Sequence, residues 1–391
     1  MSRFSDVRLK ASFPRPMEPV PLNEPVPVDE LPTPALIIDL DIFDANLNKM
    51  QGYLDEQQIA LRAHTKMHKC PHIARQQVEL GARGVCAAKI SEAEIMCEAG
   101  IDDVLVTSPV VTPEKLEWFM TLREQYPGLK IVVDDAAVAA SLQRMAKDRQ
   151  CSLDVFIDID PGMGRTGIEA GEPALALGRL VADASHLNLA GLQMYAGNCM
   201  HIEGHHARRE KYTRVMEKGL QTRELFDAAG IDIPVFSGGG TGTYDMESDL
   251  GLLTELQAGS YAFMDIEYRD IGGVDASGKF EDFRVSLFVL VTAISKPQSR
   301  LITVDGGFKV FASDKMAPEF RDVEGVVFHW GGDEHGIIQL DNPSREIKPG
   351  HKLPMLTPHC DPTVNLHDFY YPVRDGLVSE LWPITARGCS Q

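Results

Sequence analysis

The sequence predicts an α/β protein in which a (β/α)8 barrel is followed by a second, all-β domain. Between residues 35 and 243, eight short apolar runs alternate with amphipathic helical segments, as in βα units. After residue 275, the apolar runs are separated by turns rich in Gly, Pro, Asn and Asp, which is typical of antiparallel strands. The 391 residues are enough for about two domains.

Eight apolar runs form the predicted barrel strands. They are ALIIDL (35–40), IALRA (59–63), GVCAAK (84–89), DVLVTS (103–108), KIVVDD (130–135), LDVFIDID (153–160), NLAGLQMY (188–195) and IPVFSGGGTGT (233–243). Most are continuous rather than alternating, as expected of parallel strands buried on both faces. Helix signals follow them, such as Pro113 at a helix start and a capping-box pattern at Ser91 and Glu94. Eight units over about 230 residues fit a (β/α)8 barrel, although a doubly wound sheet gives a similar count.

The predicted domain limits follow these changes in pattern. Residues 1–30 are Pro-rich and lack the apolar stretch of a secretory signal, so we expect an extended arm that joins the β domain. Residues 31–272 are predicted to form the barrel. Residues 273–391 are predicted to form the β domain, which has no βα alternation.

Composition narrows the classes of partner and compartment. A net charge of −19 argues against binding of nucleic acid or acidic membrane surfaces, because both require a surplus of Lys and Arg. No apolar run approaches the roughly 20 residues of a membrane helix. The seven cysteines are scattered without a CxxC pair, which favours a reducing, cytoplasmic compartment. We therefore expect a small-molecule partner.

Reactive side chains follow the predicted strands, at the end where a parallel barrel gathers its functional groups. They are His64, Lys66, His68, Lys89, Asp158, Asp160, Arg165, Tyr195, Asn198 and His201. The densest group is the segment LRAHTKMHKCPHIA (61–74), which has three histidines and two lysines. This clustering predicts an active site at the C-terminal mouth of the barrel.

The Gly-rich segment SGGGTGT (237–243) can present backbone N–H groups to an anion, beside the hydroxyls of Ser237, Thr241 and Thr243. It lacks the Lys-Ser/Thr ending of a nucleotide-binding P-loop, which argues against ATP. An anion site and a lysine at one barrel mouth suggest pyridoxal phosphate, whose aldehyde reacts with a lysine amine. Lys66 is the preferred lysine. A plain Gly turn and a solvated lysine are the alternatives.

A second dense group lies near the C-terminus, in TPHCDPTVNLHDF (357–369). His359 and Asp361 are two residues apart, so on an extended segment they would point to the same side and Cys360 to the other. An imidazole and a carboxylate suit Mn²⁺, Mg²⁺ or Zn²⁺. Two protein ligands would leave coordination positions for water and substrate.

Several motifs together resemble those of the D-threonine aldolase family, which includes 3-hydroxyaspartate aldolases and has D-serine and 3-hydroxyaspartate dehydratases as relatives. The motifs are RAHTKMHKCPHIA, GVCAAKISEAE, PGMGRTG, SGGGTGT, ELQAGSYAFMD, VDGGFK, DEHG and PHCDPTVNLHD. The resemblance covers residues 30–388. It implies an alanine-racemase-like fold, in which a pyridoxal-phosphate barrel is joined to a β domain, and a homodimer.

The resemblance also implies roles for individual residues. Lys66 would form the Schiff base with pyridoxal phosphate, Arg165 would face the pyridine nitrogen, and Tyr195 would lie near the ring. A guanidinium does not readily lose a proton, so the pyridine nitrogen would stay unprotonated. His359 and Asp361 would bind the divalent cation. The cofactor phosphate would be held by Ser237, Gly239, Gly240, Thr241, Gly242, Gly259 and Ser260.

The implied reaction is the reversible cleavage of D-β-hydroxy-α-amino acids, of the D-threonine or 3-hydroxyaspartate type, to glycine and an aldehyde. Asp361 favours an aldolase with Mg²⁺ or Mn²⁺ over Zn²⁺, because the dehydratase relatives have a cysteine there. One position departs from the family: QMYAG has Ala196 where aldolases often have a histidine that handles the hydroxyl proton. Either His64, His68, His201 or metal-bound water replaces it, or the reaction differs.

Four other functions stay open from the sequence. A D-serine or D-3-hydroxyaspartate dehydratase would use the same cofactors for β-elimination, and Cys360 would suit its metal. A racemase needs no metal, and the segment at 359–361 argues against it. A protein of pyridoxal-phosphate homeostasis lacks a β domain. A sugar-phosphate enzyme with a barrel fold would not bind pyridoxal phosphate.

Overall fold

Two β-sheets organise the chain in the computed structural model, which describes residues 16–248, 250–275 and 278–391. Within these ranges, eight parallel strands close into a barrel with helices around it, and ten strands form a separate mixed sheet. The predicted fold class, a (β/α)8 barrel with a second β domain, is confirmed. Residues 1–15 of the predicted arm lie outside the described residues.

The strands are numbered along the described chain. They are β1 Val20–Pro27, β2 Ala35–Asp39, β3 Ala60–His64, β4 Gly84–Ala87, β5 Val104–Val106, β6 Leu129–Val133, β7 Leu153–Asp160, β8 Ile168–Glu169, β9 Leu187–Met194, β10 Phe236–Gly238, β11 Glu255–Leu256, β12 Leu287–Gln298, β13 Leu301–Val304, β14 Glu319–Phe320, β15 Val326–Trp330, β16 Gly336–Leu340, β17 Lys352–Leu356, β18 Phe369–Arg374 and β19 Leu377–Pro383. The barrel order is β6, β5, β4, β3, β11, β10, β9 and β7, and pairing of β6 with β7 closes the ring.

Helices follow most of the barrel strands. Those in the described residues are α1 Leu40–Gln57, α2 Pro71–Glu79, α3 Ile90–Glu98, α4 Pro113–Gln125, α5 Ala136–Asp148, α6 Glu172–Ala182, α7 His205–Ala228, α8 Ile266–Arg269 and α9 Cys360–Val364. Pro113 begins α4 as predicted. The predicted cap of α3 at Ser91 is wrong, since the carboxylate of Glu92 accepts hydrogen bonds from the backbone N–H groups of Ala88 and Lys89. None of the described helices is long and apolar enough to cross a membrane.

Two predicted strand assignments differ from the structure. β2 was expected to be the first barrel strand, but it pairs antiparallel with β12 and parallel with β18 in the mixed sheet. Its apolar run is buried there just as a barrel strand would be, so composition alone could not separate the two positions. The eighth barrel strand is instead β11, which has two residues and lies between β10 and β3.

The mixed sheet brings together the first and last strands of the described residues. β1 pairs antiparallel with β19, and β19 pairs with β18. β12 lies between β2 and β17. The segment after β17 then enters α9, which carries His359 at its N-terminal cap and Asp361 in its first turn. The mixed sheet therefore places this predicted metal segment against the barrel.

A buried ion pair lies inside the barrel, below the predicted active site. Arg62 on β3 and Glu255 on β11 are almost fully buried, and Arg62 Nε lies 2.6 Å from Glu255 Oε1. Arg62 also donates to Asp103 at 2.5 Å, and the hydroxyl of Ser237 donates to Glu255 at 2.7 Å. Because water is excluded here, each charge depends on its partner for solvation. The pair joins β3, which leads into the turn of Lys66, to β11, which leads into the predicted phosphate loop at Gly259 and Ser260.

We expect Glu255→Gln to destabilise the protein by about 3–5 kcal/mol, since it leaves a buried guanidinium short of a partner. The matched control is Asp341→Asn, which breaks the exposed Arg300–Asp341 pair (3.1 Å) and should cost less than about 1 kcal/mol. Urea unfolding measures both differences. Equal losses in the two variants would contradict the importance of the buried pair.

Candidate active site

A cavity of about 560 Å³ opens at the C-terminal mouth of the barrel. Residues that end or follow all eight described barrel strands line it, so it lies where a parallel barrel is expected to carry its chemistry. Of the candidate residues named from the sequence, ten line this cavity. They are His64, Lys66, Lys89, Asp158, Arg165, Tyr195, Gly240, Thr241, Gly259 and Ser260.

Lys66 lines the cavity and also contacts the predicted metal segment, residues 359–361. It lies in the turn after β3, its side chain is 44% exposed, and its Nζ lies 3.5 Å from Asp361 Oδ1. The Asp361 carboxylate raises the pKa of the Lys66 ammonium. Lys69 is instead buried and paired with Glu92, and Lys89 is exposed at the cavity wall. The geometry therefore separates Lys66 from its two neighbours.

The two histidines beside Lys66 occupy different environments. His64 lines the cavity, with its Nε2 3.4 Å from the Thr107 hydroxyl. Burial, together with the positive charge of Lys66, lowers its pKa well below the usual value. His68 is fully buried and does not line the cavity, because its Nε2 contacts Gln77 at 3.3 Å and its Nδ1 accepts from the Cys70 N–H at 3.1 Å. The expectation that His68 could transfer protons is therefore not supported.

The PGMGRTG segment forms a tight loop that presents Arg165 to the cavity. The carboxylate of Asp160 accepts hydrogen bonds from the N–H groups of Gly162, Met163 and Gly164. Gly164 has φ of +65°, which residues with a side chain rarely adopt. The Arg165 guanidinium lies over the Tyr195 ring at 5.3 Å, so these two residues form one wall of the cavity.

Two glutamines at the base of the cavity were missed by the sequence analysis. Gln193 Nε2 donates to Asp158 Oδ1 at 2.8 Å and to the Thr107 carbonyl at 3.1 Å, so its oxygen faces Gln257. Gln257 Nε2 donates to that oxygen at 3.0 Å. Burial raises the pKa of Asp158 to about 6. Gln193 is near the C-terminal end of β9 and Gln257 directly follows β11, and this position was their one sequence signal.

Two loops form an anion cradle at the cavity edge. The backbone N–H groups of Gly240, Thr241, Gly259 and Ser260 have no hydrogen-bond acceptor among the described residues. The Thr241 hydroxyl accepts from the N–H of Tyr261 at 3.0 Å and so joins the two loops. A Cβ on Gly259 would lie 2.8 Å from the His64 carbonyl, so this loop packs directly on the strand that carries Lys66. The unbonded donors fit a phosphate group.

Three predicted phosphate ligands lie outside the cavity lining. Ser237 is fully buried, and its hydroxyl donates to Glu255 and accepts from Gln257, so it belongs to the barrel interior. Gly239 packs against Leu253 and Leu256. Gly242 is close-packed, since a Cβ there would lie 2.2 Å from the Met200 carbonyl. Of the seven predicted phosphate ligands, Gly240, Thr241, Gly259 and Ser260 line the cavity.

His359 and Asp361 lie together beside Lys66. His359 Nε2 is 4.0 Å from Asp361 Oδ2, and each side chain is about one-quarter exposed. His359 is extended but Asp361 is already helical, so the expected two-residue alternation of a strand is not what aligns them. Among the described residues, no three His, Cys, Asp or Glu side chains form a closed metal cluster. This open pair suits a cation that also binds water or substrate.

Cys360 points away from this pair, as expected. Its side chain is fully buried and its Sγ donates to the Met264 carbonyl at 3.1 Å. Its backbone N–H donates to Asp265 Oδ2 at 2.8 Å, and Asp265 Oδ1 accepts from the Tyr268 N–H at 2.9 Å. Asp265 therefore fixes the metal segment to the end of the barrel, a role that the sequence analysis missed.

His201 lies near the metal segment, in contact with the cavity wall. Its ring packs against Tyr268, which lines the cavity, with ring centroids 4.5 Å apart. Its Nδ1 lies 3.6 Å from Glu267 Oε1, and burial lowers its pKa. Ala196 is fully buried in the barrel core. His201 therefore lies beside the cavity, behind Tyr268, rather than among the residues that line it.

Comparisons with known proteins agree with this geometry. The family described as "Alanine racemase, N-terminal domain" matches residues 38–267, and the family described as "Putative serine dehydratase domain" matches residues 286–373. The D-threonine aldolase of Arthrobacter sp. is 36% identical over 95% of this chain and 97% of its own length. The chain belongs to the D-threonine aldolase family.

Two further aldolases are more similar to this chain than a dehydratase relative is. The 3-hydroxy-D-aspartate aldolase of Paracoccus denitrificans is 36% identical over 92% of this chain and 93% of its own length. The crystal structure of D-threonine aldolase from Filomicrobium marinum is 37% identical and covers 95% of this chain and 100% of its own, with a TM-score of 0.90. The D-threo-3-hydroxyaspartate dehydratase of Delftia sp. is more distant, at 30% identity over 84% of this chain and 88% of its own length. The predicted family and class of carbon–carbon lyase are confirmed.

Proposed function

We propose that the chain is a pyridoxal-phosphate- and divalent-cation-dependent aldolase that cleaves D-β-hydroxy-α-amino acids to glycine and an aldehyde. One observation carries the proposal: the Lys66 amine lines the same cavity as the anion cradle and lies 3.5 Å from Asp361. Pyridoxal phosphate is held by its aldehyde at one end and by its phosphate at the other, so it requires an amine and an anion cradle in one cavity. A cation that acts on the substrate beside that cofactor requires a ligand such as Asp361 close to the amine.

The residues present fit both groups. Gly240, Thr241, Gly259 and Ser260 supply unbonded N–H donors for the phosphate, and Lys66 supplies the amine. Arg165 and Tyr195, which contact each other at the cavity wall, would orient the cofactor ring. When bound, pyridoxal phosphate supplies an electron sink for the charge left at Cα, and the cation polarises the β-hydroxyl.

His359 and Asp361 would hold the cation. Asp361 is a hard oxygen ligand, so Mg²⁺ or Mn²⁺ is favoured over Zn²⁺. The Cys360 thiol is committed to the core, and burial raises its pKa well above the usual value. A neutral, inward-facing thiol is a poor metal ligand, because metals bind the thiolate. This supports the aldolase over the dehydratase alternative.

We infer that His201 removes the β-hydroxyl proton in place of the imidazole that is missing at Ala196. A general base must reach the hydroxyl and keep a pKa near the working pH. His64 lines the cavity, but the nearby Lys66 charge and burial make it a weak base. Burial lowers the pKa of His201 as well, but the Glu267 carboxylate 3.6 Å from its Nδ1 opposes this effect, whereas the positive charges around His64 add to it.

We further propose a cytoplasmic homodimer. The resemblance implies the dimer, and none of the seven cysteines forms a disulfide, as in a reducing compartment. The substrate would be a free amino acid, because the cavity of about 560 Å³ suits a cofactor with a small side chain attached.

The reaction is tested by product analysis with D-threonine and D-3-hydroxyaspartate in the presence of pyridoxal phosphate and Mn²⁺. We expect glycine with acetaldehyde or glyoxylate, because the Cα–Cβ bond breaks. L-Threonine is the stereochemical control and should not react. Formation of a 2-oxo acid and ammonia would instead establish a dehydratase.

His201→Asn should lower kcat by about 10²- to 10⁴-fold, the usual contribution of a general base, and should remove the acidic limb of the kcat–pH profile. His206→Asn is the matched control, because His206 is exposed at the start of α7 and away from the cavity lining. Stopped-flow or steady-state rates at several pH values measure both variants. A larger loss in His64→Asn than in His201→Asn would transfer the role to His64.

A further inference from the structure

Asp314 contacts the side of His359 that faces away from Asp361. Its Oδ2 lies 2.8 Å from His359 Nδ1, whereas Asp361 faces the other ring nitrogen, Nε2. The imidazole therefore lies between two carboxylates, one at each nitrogen. Only one of these carboxylates, that of Asp361, also lies near Lys66.

This contact determines the tautomer of the imidazole. A carboxylate can only accept a hydrogen bond, so Nδ1 carries a hydrogen when it contacts Asp314. In the neutral ring, the lone pair then lies on Nε2, which faces Asp361. Metal-binding histidines commonly donate their second ring N–H to a carboxylate, which fixes the ring and raises its basicity.

The loop that carries Asp314 is attached to the metal segment at two further points. It runs between β13 and β14, and its Ala312 N–H donates to the Thr363 hydroxyl at 3.0 Å. The same hydroxyl donates to the His359 carbonyl at 2.7 Å. His367 Nε2 contacts the Val310 carbonyl at 3.0 Å. These contacts hold Asp314 in register with His359.

We propose that Asp314 is a positioning residue for the cation, which it serves by orienting His359. The inference rests on the cation site of the proposed function. Asp314 lies in the loop that follows the motif VDGGFK (304–309). Nothing in the sequence connected this loop to the cation site. Asp314 acts through His359 and contacts no reacting atom.

Mn²⁺ binding to the holoenzyme without substrate tests this role, with electron paramagnetic resonance to count free Mn²⁺. Asp314→Ala should weaken Mn²⁺ binding by about 10- to 100-fold, because Nδ1 loses its acceptor. Asp314→Asn keeps an acceptor oxygen and should fall between Asp314→Ala and the unchanged protein. The matched control is Asp322→Ala, which breaks an exposed pair with Arg345 (3.2 Å) in the same domain and should not change binding.

Kinetics give a second readout. The Mn²⁺ concentration for half-maximal cleavage should rise in Asp314→Ala, while the rate at saturating Mn²⁺ returns to near that of the unchanged protein. Cofactor absorbance should not change, which establishes that the variant is folded. Equal Mn²⁺ affinity in Asp314→Ala and the unchanged protein would overturn the inference alone. Absence of Mn²⁺ binding to the unchanged protein would overturn the proposed cation site together with the inference.

Discussion

The approach of Asp361 to Lys66 is the constraint on which the site depends. One residue follows a barrel strand and the other begins a helix of the β domain, so their 3.5 Å separation exists only while the two sheets stay in register. Coulomb attraction favours this contact, and solvent partly screens it because the Lys66 side chain is 44% exposed. A barrel without the second domain would keep the lysine and the anion cradle but lose His359 and Asp361.

Contacts on either side of this pair maintain the register. The Tyr370 hydroxyl of β18 donates to the His68 carbonyl at 2.6 Å, and the Ala386 N–H donates to the Lys69 carbonyl at 3.0 Å, so the β domain fixes the turn that carries Lys66. From the barrel side, Asp265 fixes the N–H of Cys360. The histidine that looked catalytic in sequence, His68, is thus part of the support of the lysine turn.

The fold class and the residues of compact motifs were predictable, because strand runs and short Gly-rich or His-rich segments are local signals. Lys66, Arg165 and the pair at 359–361 were found in this way. Two kinds of feature were not predictable. The first is the two-residue strand β11, which is too short to show periodicity. The second is the orientation of Ser237, which faces the barrel interior rather than the cavity because strand register determines the face on which a side chain lies. Asp265 ends the quoted motif ELQAGSYAFMD and Asp314 lies in a loop of the β domain, but both are far from residues 359–361 in the sequence, so no local pattern shows their contacts with that segment.

The covalent attachment point of the cofactor tests the account most directly. Borohydride reduction of the holoenzyme converts the lysine–cofactor linkage into a stable bond, and peptide mass spectrometry then locates it. A phosphopyridoxyl group is expected on the peptide that contains Lys66, at that lysine. A label on Lys69 or Lys89, or no label in a protein with bound cofactor, would contradict it.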